Sequence, residues 1–206
     1  GYSVILNNDL DNAGNFLVNI SNSGGGFSAA GKYHKVAGNF AVWYSSSPYG
    51  IYSAPITLEF NGAVSQTYFN RGSLNNVLMN KTGGQLTLGN SGATDWMLLG
   101  GTLTLNWGQI STGLNRVNII NSNPLAVSVG NTNSFVAGNL KRNLLAGGGS
   151  YDYPVGSALK GYQRLNFNIF PPHNRTNLQI GFINTPAAYP VLGPECVSAV
   201  FDQPSL

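Results

Sequence analysis

The chain has 206 residues and a formal net charge of +3, and only 8% of its residues are charged, against about 25% in ordinary globular domains. A hydrophobic content of 42% with 11% aromatics supports a packed core and excludes a disordered chain. The ten Lys and Arg residues are scattered, with Lys141-Arg142 the only adjacent pair, so the clustered cations of a nucleic-acid binder are missing. No stretch of about 18 apolar residues occurs, so no transmembrane segment is expected. Gly and Asn supply 27 residues each and interrupt every long window at helical spacing, which argues against a helical protein.

The first fifty residues read as short strands, Ser3 to Leu6, Phe16 to Ile20 and Phe40 to Tyr44, between Asn/Asp/Gly clusters. Asn7-Asn8-Asp9-Leu10-Asp11-Asn12 alternates oxygen ligands as a calcium loop does. The twelfth position counted from Asn7 is Val18, where an EF-hand needs a bidentate Glu, so a strand-to-strand turn is the better reading. His34 and His173 have no metal-ligand spacing and read as surface or turn residues. Trp43, Tyr44, Tyr49 and Tyr52 surround Ser45-Ser46-Ser47-Pro48 and are the candidate contacts for a glycan or a protein partner. The competing reading is that these rings cover the open end of the fold.

Ile56, Leu58 and Phe60 alternate and stop at the turn dipeptide Asn61-Gly62. Val77/Met79, Met97/Leu99 and Val117/Ile119 then recur at a spacing of twenty, each pair marking one strand face. Second pairs follow within each coil at Leu86/Leu88, Leu103/Leu105 and Val127/Val129. The spacing predicts an all-β right-handed parallel β-helix, a solenoid of about 20 residues per coil. In such a stack Asn75, Asp95 and Asn115 share a column, either as an amide ladder or as corner residues in αL. Glu59 would neighbour Met79 and Leu99, and Trp96 and Trp107 would serve packing.

After Gly138 the period fades. Leu165/Phe167/Ile169 and Leu178/Ile180/Phe182 alternate as strands on either side of Pro171-Pro172. Residues 1–145 are therefore assigned to the β-helix, and 146–206 to a small antiparallel β module or cap. Cys196 stands alone, so it is either a small buried hydrophobe or bonded to a cysteine outside the chain. With no signal peptide and no initial Met, both ends read as cuts from a longer polypeptide.

Several phrases carry a resemblance: Ile56-Thr-Leu-Glu-Phe-Asn-Gly62, Leu74 to Gly84, Gln85-Leu-Thr-Leu-Gly89 and Gly101-Thr-Leu-Thr-Leu105. They are followed by Ser134 to Arg142, ending Gly-Asn-Leu-Lys-Arg, and by Tyr151-Asp-Tyr-Pro-Val-Gly156. Their order, over about half of the chain, resembles a pattern in large cell-surface proteins of Bacteroidetes exported by the type IX secretion system. The resemblance implies an extracellular or outer-surface location and a stalk-like or adhesive role, and it brings no catalytic residues.

The enzymatic alternative is a polysaccharide-degrading β-helix. Glycoside hydrolysis needs two carboxylates about 5–10 Å apart, and the seven acids do not fall into one column at a spacing of twenty. No nucleophile elbow and no phosphate loop appears, so neither an enzyme nor a cofactor is expected. The sequence reading is a structural or adhesive segment whose partners are other domains of its polypeptide, other surface proteins or a polysaccharide. The alternative is a carbohydrate-binding module using the rings near residues 43–52.

Overall fold

A strand with one apolar face must cover that face, and this chain does so by winding its strands into stacked coils. The computed structural model describes residues 3–20, 25–44, 50–70, 72–89, 97–183 and 196–200. The first coil holds β1 (Ser3–Ile5), β2 (Leu10–Asn12) and β3 (Phe16–Ile20), one strand on each of three faces. The second holds β4 (Gly25–Ser28), β5 (Tyr33–Val36) and β6 (Phe40–Tyr44), and the third β7 (Gly50–Ser53), β8 (Thr57–Phe60) and β9 (Gln66–Asn70). Further along, strands continue around the corners: β10 (Ser73–Leu74) with β11 (Asn76–Leu88), then β12 (Met97–Leu99) with β13 (Leu103–Ile119). A 3-10 turn at Pro124–Ala126 precedes β14 (Val136–Asn143). Pairing from coil to coil is parallel on all three faces, giving a β-solenoid of about five turns.

The register explains the core. Leu10, His34, Leu58, Val77, Leu103 and Val127 form one column, and Phe16, Phe40, Tyr68 and Leu88 form another. In the second column Phe16 stacks on Phe40 at 5.3 Å and 13°, and Phe40 on Tyr68 at 5.7 Å and 7°. These separations follow from coils about 4.8 Å apart, which lay like rings over one another. A third column runs through Leu74, Leu99 and Ile119 to Arg142, which pairs in turn with Leu178.

A spacing of twenty holds where Met97 and Leu99 pair with Val117 and Ile119. Val77 and Met79 instead stack on Leu103 and Leu105, and rest on Leu58 and Phe60. Partners thus lie between 19 residues apart (Leu58 to Val77) and 28 apart (Phe40 to Tyr68). Inward positions hold the register, while surface corners absorb added residues at little cost.

Parallel pairing continues past Gly138, where the sequence period fades. In β15 (Gly149–Ser157), Val155 and Gly156 still pair in parallel with Val136 and Ala137 of β14. β16 (Gly161–Ile169) then runs antiparallel to β15, and β17 (Asn177–Ile183) runs antiparallel to the far half of β14. β18 (Cys196–Val200) pairs antiparallel with β17 and sets Cys196 opposite Ile183.

Leu58 is fully buried in mid-column and Leu125 is 84% exposed. Leu58→Ala is expected to lower unfolding free energy by about 2–5 kcal/mol and Leu125→Ala by less than about 0.5 kcal/mol, both read from urea denaturation.

Candidate functional site

Asparagine binds the corners. The Asn75 and Asn76 side-chain amides donate to the carbonyls of Pro55 and Ile56 at 3.2 and 2.9 Å. Asn115, Asn121, Asn139 and Asn143 do the same to Gly89, Gly101, Asn115 and Ile120 at 3.0–3.2 Å. Each bond reaches back to the backbone of the coil before, so the amides do not form a side-chain ladder. No non-Gly residue among those described has a positive φ, so these Asn residues do not occupy αL either. Asp95 lies outside the described residues.

The few ionisable groups inside the stack are held by similar means. Asp11, Lys35 and Glu59 stack in register with alternating sign, and Leu78 follows Glu59 where a spacing of twenty places Met79. Glu59, 4% exposed, accepts from the Tyr33 hydroxyl at 2.6 Å and the Asn80 amide at 2.8 Å. Burial, then the bond to Glu59, pushes the Tyr33 phenol up to about 12. Lys81 is buried, and its ammonium donates to the carbonyls of Gly62 and Val64 and to Gln66 Oε1 at 3.1, 2.8 and 2.5 Å. Those bonds use its three protons, and burial pulls the amine down to about 8.

Arg142 is fully buried at the end of the apolar column of Leu74, Leu99 and Ile119. Its guanidinium donates to the carbonyls of Asp152, Asn123 and Pro124 at 2.7, 3.1 and 2.8 Å. It also lies 5.1 Å from the Tyr151 ring centroid and 5.8 Å from that of Tyr153. Burial lowers its pKa, and the Tyr153, Tyr151 and Asp152 charges oppose that. The Asp152 carboxylate faces outward to Arg164 at 2.7 Å. Burial raises Asp152, but bonds from Arg164 and Asn166 outweigh it and hold the carboxyl below its usual range. Thus Gly-Asn-Leu-Lys-Arg and Tyr-Asp-Tyr-Pro-Val-Gly meet in space as the lock between the stack and its antiparallel cap.

His34 is a correction to the sequence reading: it is 1% exposed, in the column between Leu10 and Leu58. Its ring stands edge-on to Phe16 at 4.6 Å, and neither nitrogen has a hydrogen-bond partner among the described residues. Burial pulls its pKa down to about 4. His173 sits half-buried in a loop, its Nε2 3.0 Å from the Leu145 carbonyl. In the Asn7–Asn12 segment, Asp9 accepts from Tyr33 N at 2.7 Å and Asn12 from Gly14 N at 2.9 Å, so these oxygens join coils and close a turn.

Of the four candidate ring contacts, Trp43 is 47% exposed at the outer face of β6 and stacks on Phe69 of β9 at 3.8 Å. The pair lines a cleft of about 540 Å³ with Leu17, Asn39, Ala41 and Thr67. Tyr44 and Tyr52 are strand positions of β6 and β7, and Tyr49 lies outside the described residues. Trp96 also lies outside them, while Trp107 is 55% exposed instead of packed. Lys81 and Arg142 had a legible signal: each continues an inward alternation, Val77-Met79-Lys81 and Leu140-Arg142.

These features define a β-solenoid with an antiparallel cap. No family model matches the chain, and no match was found among curated proteins or solved structures.

His34 titrates near 4 when folded and near 6.5 when unfolded, so the unfolded chain binds more protons between those values and stability rises with pH there. On acidification from pH 6.5 to 4, about 3 kcal/mol of stability should be lost from this group, and His34→Phe should flatten that slope in urea titrations. Arg142→Met strands three buried carbonyls and is expected to cost about 3–5 kcal/mol in the same assay.

Proposed function

We propose that this chain is a rigid spacer segment of a larger exported bacterial surface protein, one that holds partner-binding modules away from the cell and offers interaction faces along its sides. One observation carries the reading: buried Glu59, Gln66 and Lys81 are committed to joining one coil to the next. Lys81 ties its own coil to the corner of Gly62 and Val64, and Gln66 passes the tie on to the carbonyls of Val36 and Gly38. Glu59 joins Tyr33 of one coil to Asn80 of another. Such groups stiffen a rod. The phrases from Ile56 to Gly156 that resemble Bacteroidetes surface proteins support the same location and role. In this reading the chain works outside the cell, carries no cofactor and is not an enzyme.

A second reading has its own observation, the Trp43–Phe69 stack over a cleft rimmed by Asn39 and Thr67. A flat ring beside neutral hydrogen-bonding groups suits a sugar face, which makes this side a glycan contact of the same spacer.

On acidic and neutral polysaccharides, the chain is expected to produce no new reducing ends and no unsaturated uronates above background. Product formation that is lost in Glu59→Gln or Asp152→Asn would replace the spacer reading with an enzymatic one.

A further inference from the structure

We propose that a second cleft, beside Trp107, binds a neutral sugar unit of a polysaccharide. The proposal deepens the interaction-surface part of the spacer reading and rests on it, but uses a site separate from Trp43. The cleft is about 420 Å³, within the ~300–1,000 Å³ range of small-molecule sites. It forms where the corners of successive coils come into line, Gln85 pairing with Gln109 and Asn80 with Trp107.

Glycine makes the hollow. A Cβ at Gly84 (φ +62°) would lie 2.3 Å from Ser65 N, and one at Gly108 (φ +89°) would lie 2.7 Å from the Lys81 Cβ. The corner backbone therefore packs directly on the coil below, with no side chain filling the space above it. Trp107 stands at this rim, 55% exposed, and has no ring partner among the described residues. That differs from Trp43, which stacks on Phe69.

The polar groups around the indole are also unspent. Elsewhere the corner amides are committed to neighbouring coils, as at Asn75, Asn115 and Asn139. Here the side chains of Thr82, Gln109, Thr132 and Asn133 line the cleft without a protein hydrogen-bond partner among the described residues. Gln85 gives one bond, to Thr87 at 3.3 Å. An amide offers donors and an acceptor together, and a hydroxyl does the same, which matches the hydroxyl edge of a pyranose whose C–H face lies on an indole.

The lining also points to a neutral ligand. Among the described residues Lys81 is the one charged residue of the lining, and its three protons already bond to Gly62, Val64 and Gln66. A carboxylate or sulfate in the cleft would find no free cationic donor there.

Calorimetric titration of the full chain with cellohexaose, mannohexaose and laminarihexaose, and with acidic hexagalacturonate, tests the proposal. At least one neutral hexasaccharide is expected to bind, about tenfold more weakly to Trp107→Ala and about threefold more weakly to Gln109→Ala. Circular dichroism of both variants establishes that they fold, and Trp43→Ala should change the affinity for the neutral ligand by less than about twofold. Binding lost in Trp43→Ala but kept in Trp107→Ala would overturn this site and leave the Trp43 face standing. Binding confined to hexagalacturonate, or no binding by any of the four, would overturn it as well, while the assay for reducing ends judges the spacer reading separately.

Discussion

Each strand of the coil stack pairs in parallel with the same-face strand of the coil beside it, and nearly every other feature follows from that contact. Coils about 4.8 Å apart give each residue a register partner above and below. Inward positions are therefore mostly apolar along a column, as from Leu58 to Val77 to Leu103, with His34 the polar rung in that one. Helices and lone hairpins impose no such repetition. Here a substitution is felt by two neighbouring coils as well as by its own.

The same spacing accounts for the scarcity of charge. Two like charges about 4.8 Å apart repel by about 3 kcal/mol at an effective dielectric of 20, and a column would repeat that at each step. Asp11, Lys35 and Glu59 avoid it by alternating in sign. Asparagine avoids it entirely, since a neutral amide can reach a carbonyl of the preceding coil from any rung. That is the pattern of Asn76 on Ile56, Asn121 on Gly101 and Asn143 on Ile120. A composition with as many Asn as Gly is thus the chemical counterpart of the coil stack.

The end of the stack needs a different solution, because a parallel coil leaves an unpaired face. Antiparallel β16 and β17 close it, and Arg142 occupies the last parallel rung of its column, paired with Leu178 of β17 and bonded to the Asp152 carbonyl of β15. Three carbonyl acceptors and two tyrosine rings replace the water the guanidinium gives up. Large rings also stand on the outer faces and corners, where Trp43 and Trp107 are exposed.

Alternation of the kind seen in Ile56-Leu58-Phe60 was enough to establish an all-β chain, the inward face of most strands and the coil stack itself, because a period of two is a local property of extended backbone. An antiparallel β-rich end was legible too, although parallel pairing runs past Gly138 into β15. Register was not. Val77 lies over Leu58 and under Leu103, because corner lengths vary and only the closed coil decides which pairs meet. His34 looked like a turn residue for the same reason: its column partners Leu10 and Leu58 each lie 24 residues away. Arg142 and Lys81 carried inward parity, but their acceptors are backbone carbonyls of other coils, which no side-chain motif announces. The exposure of Trp107 likewise depends on glycines at Gly84 and Gly108 that leave a hollow only once the coils stack. Local alternation is written in the chain, whereas the length of each coil, and so every contact between coils, is settled by the packed structure.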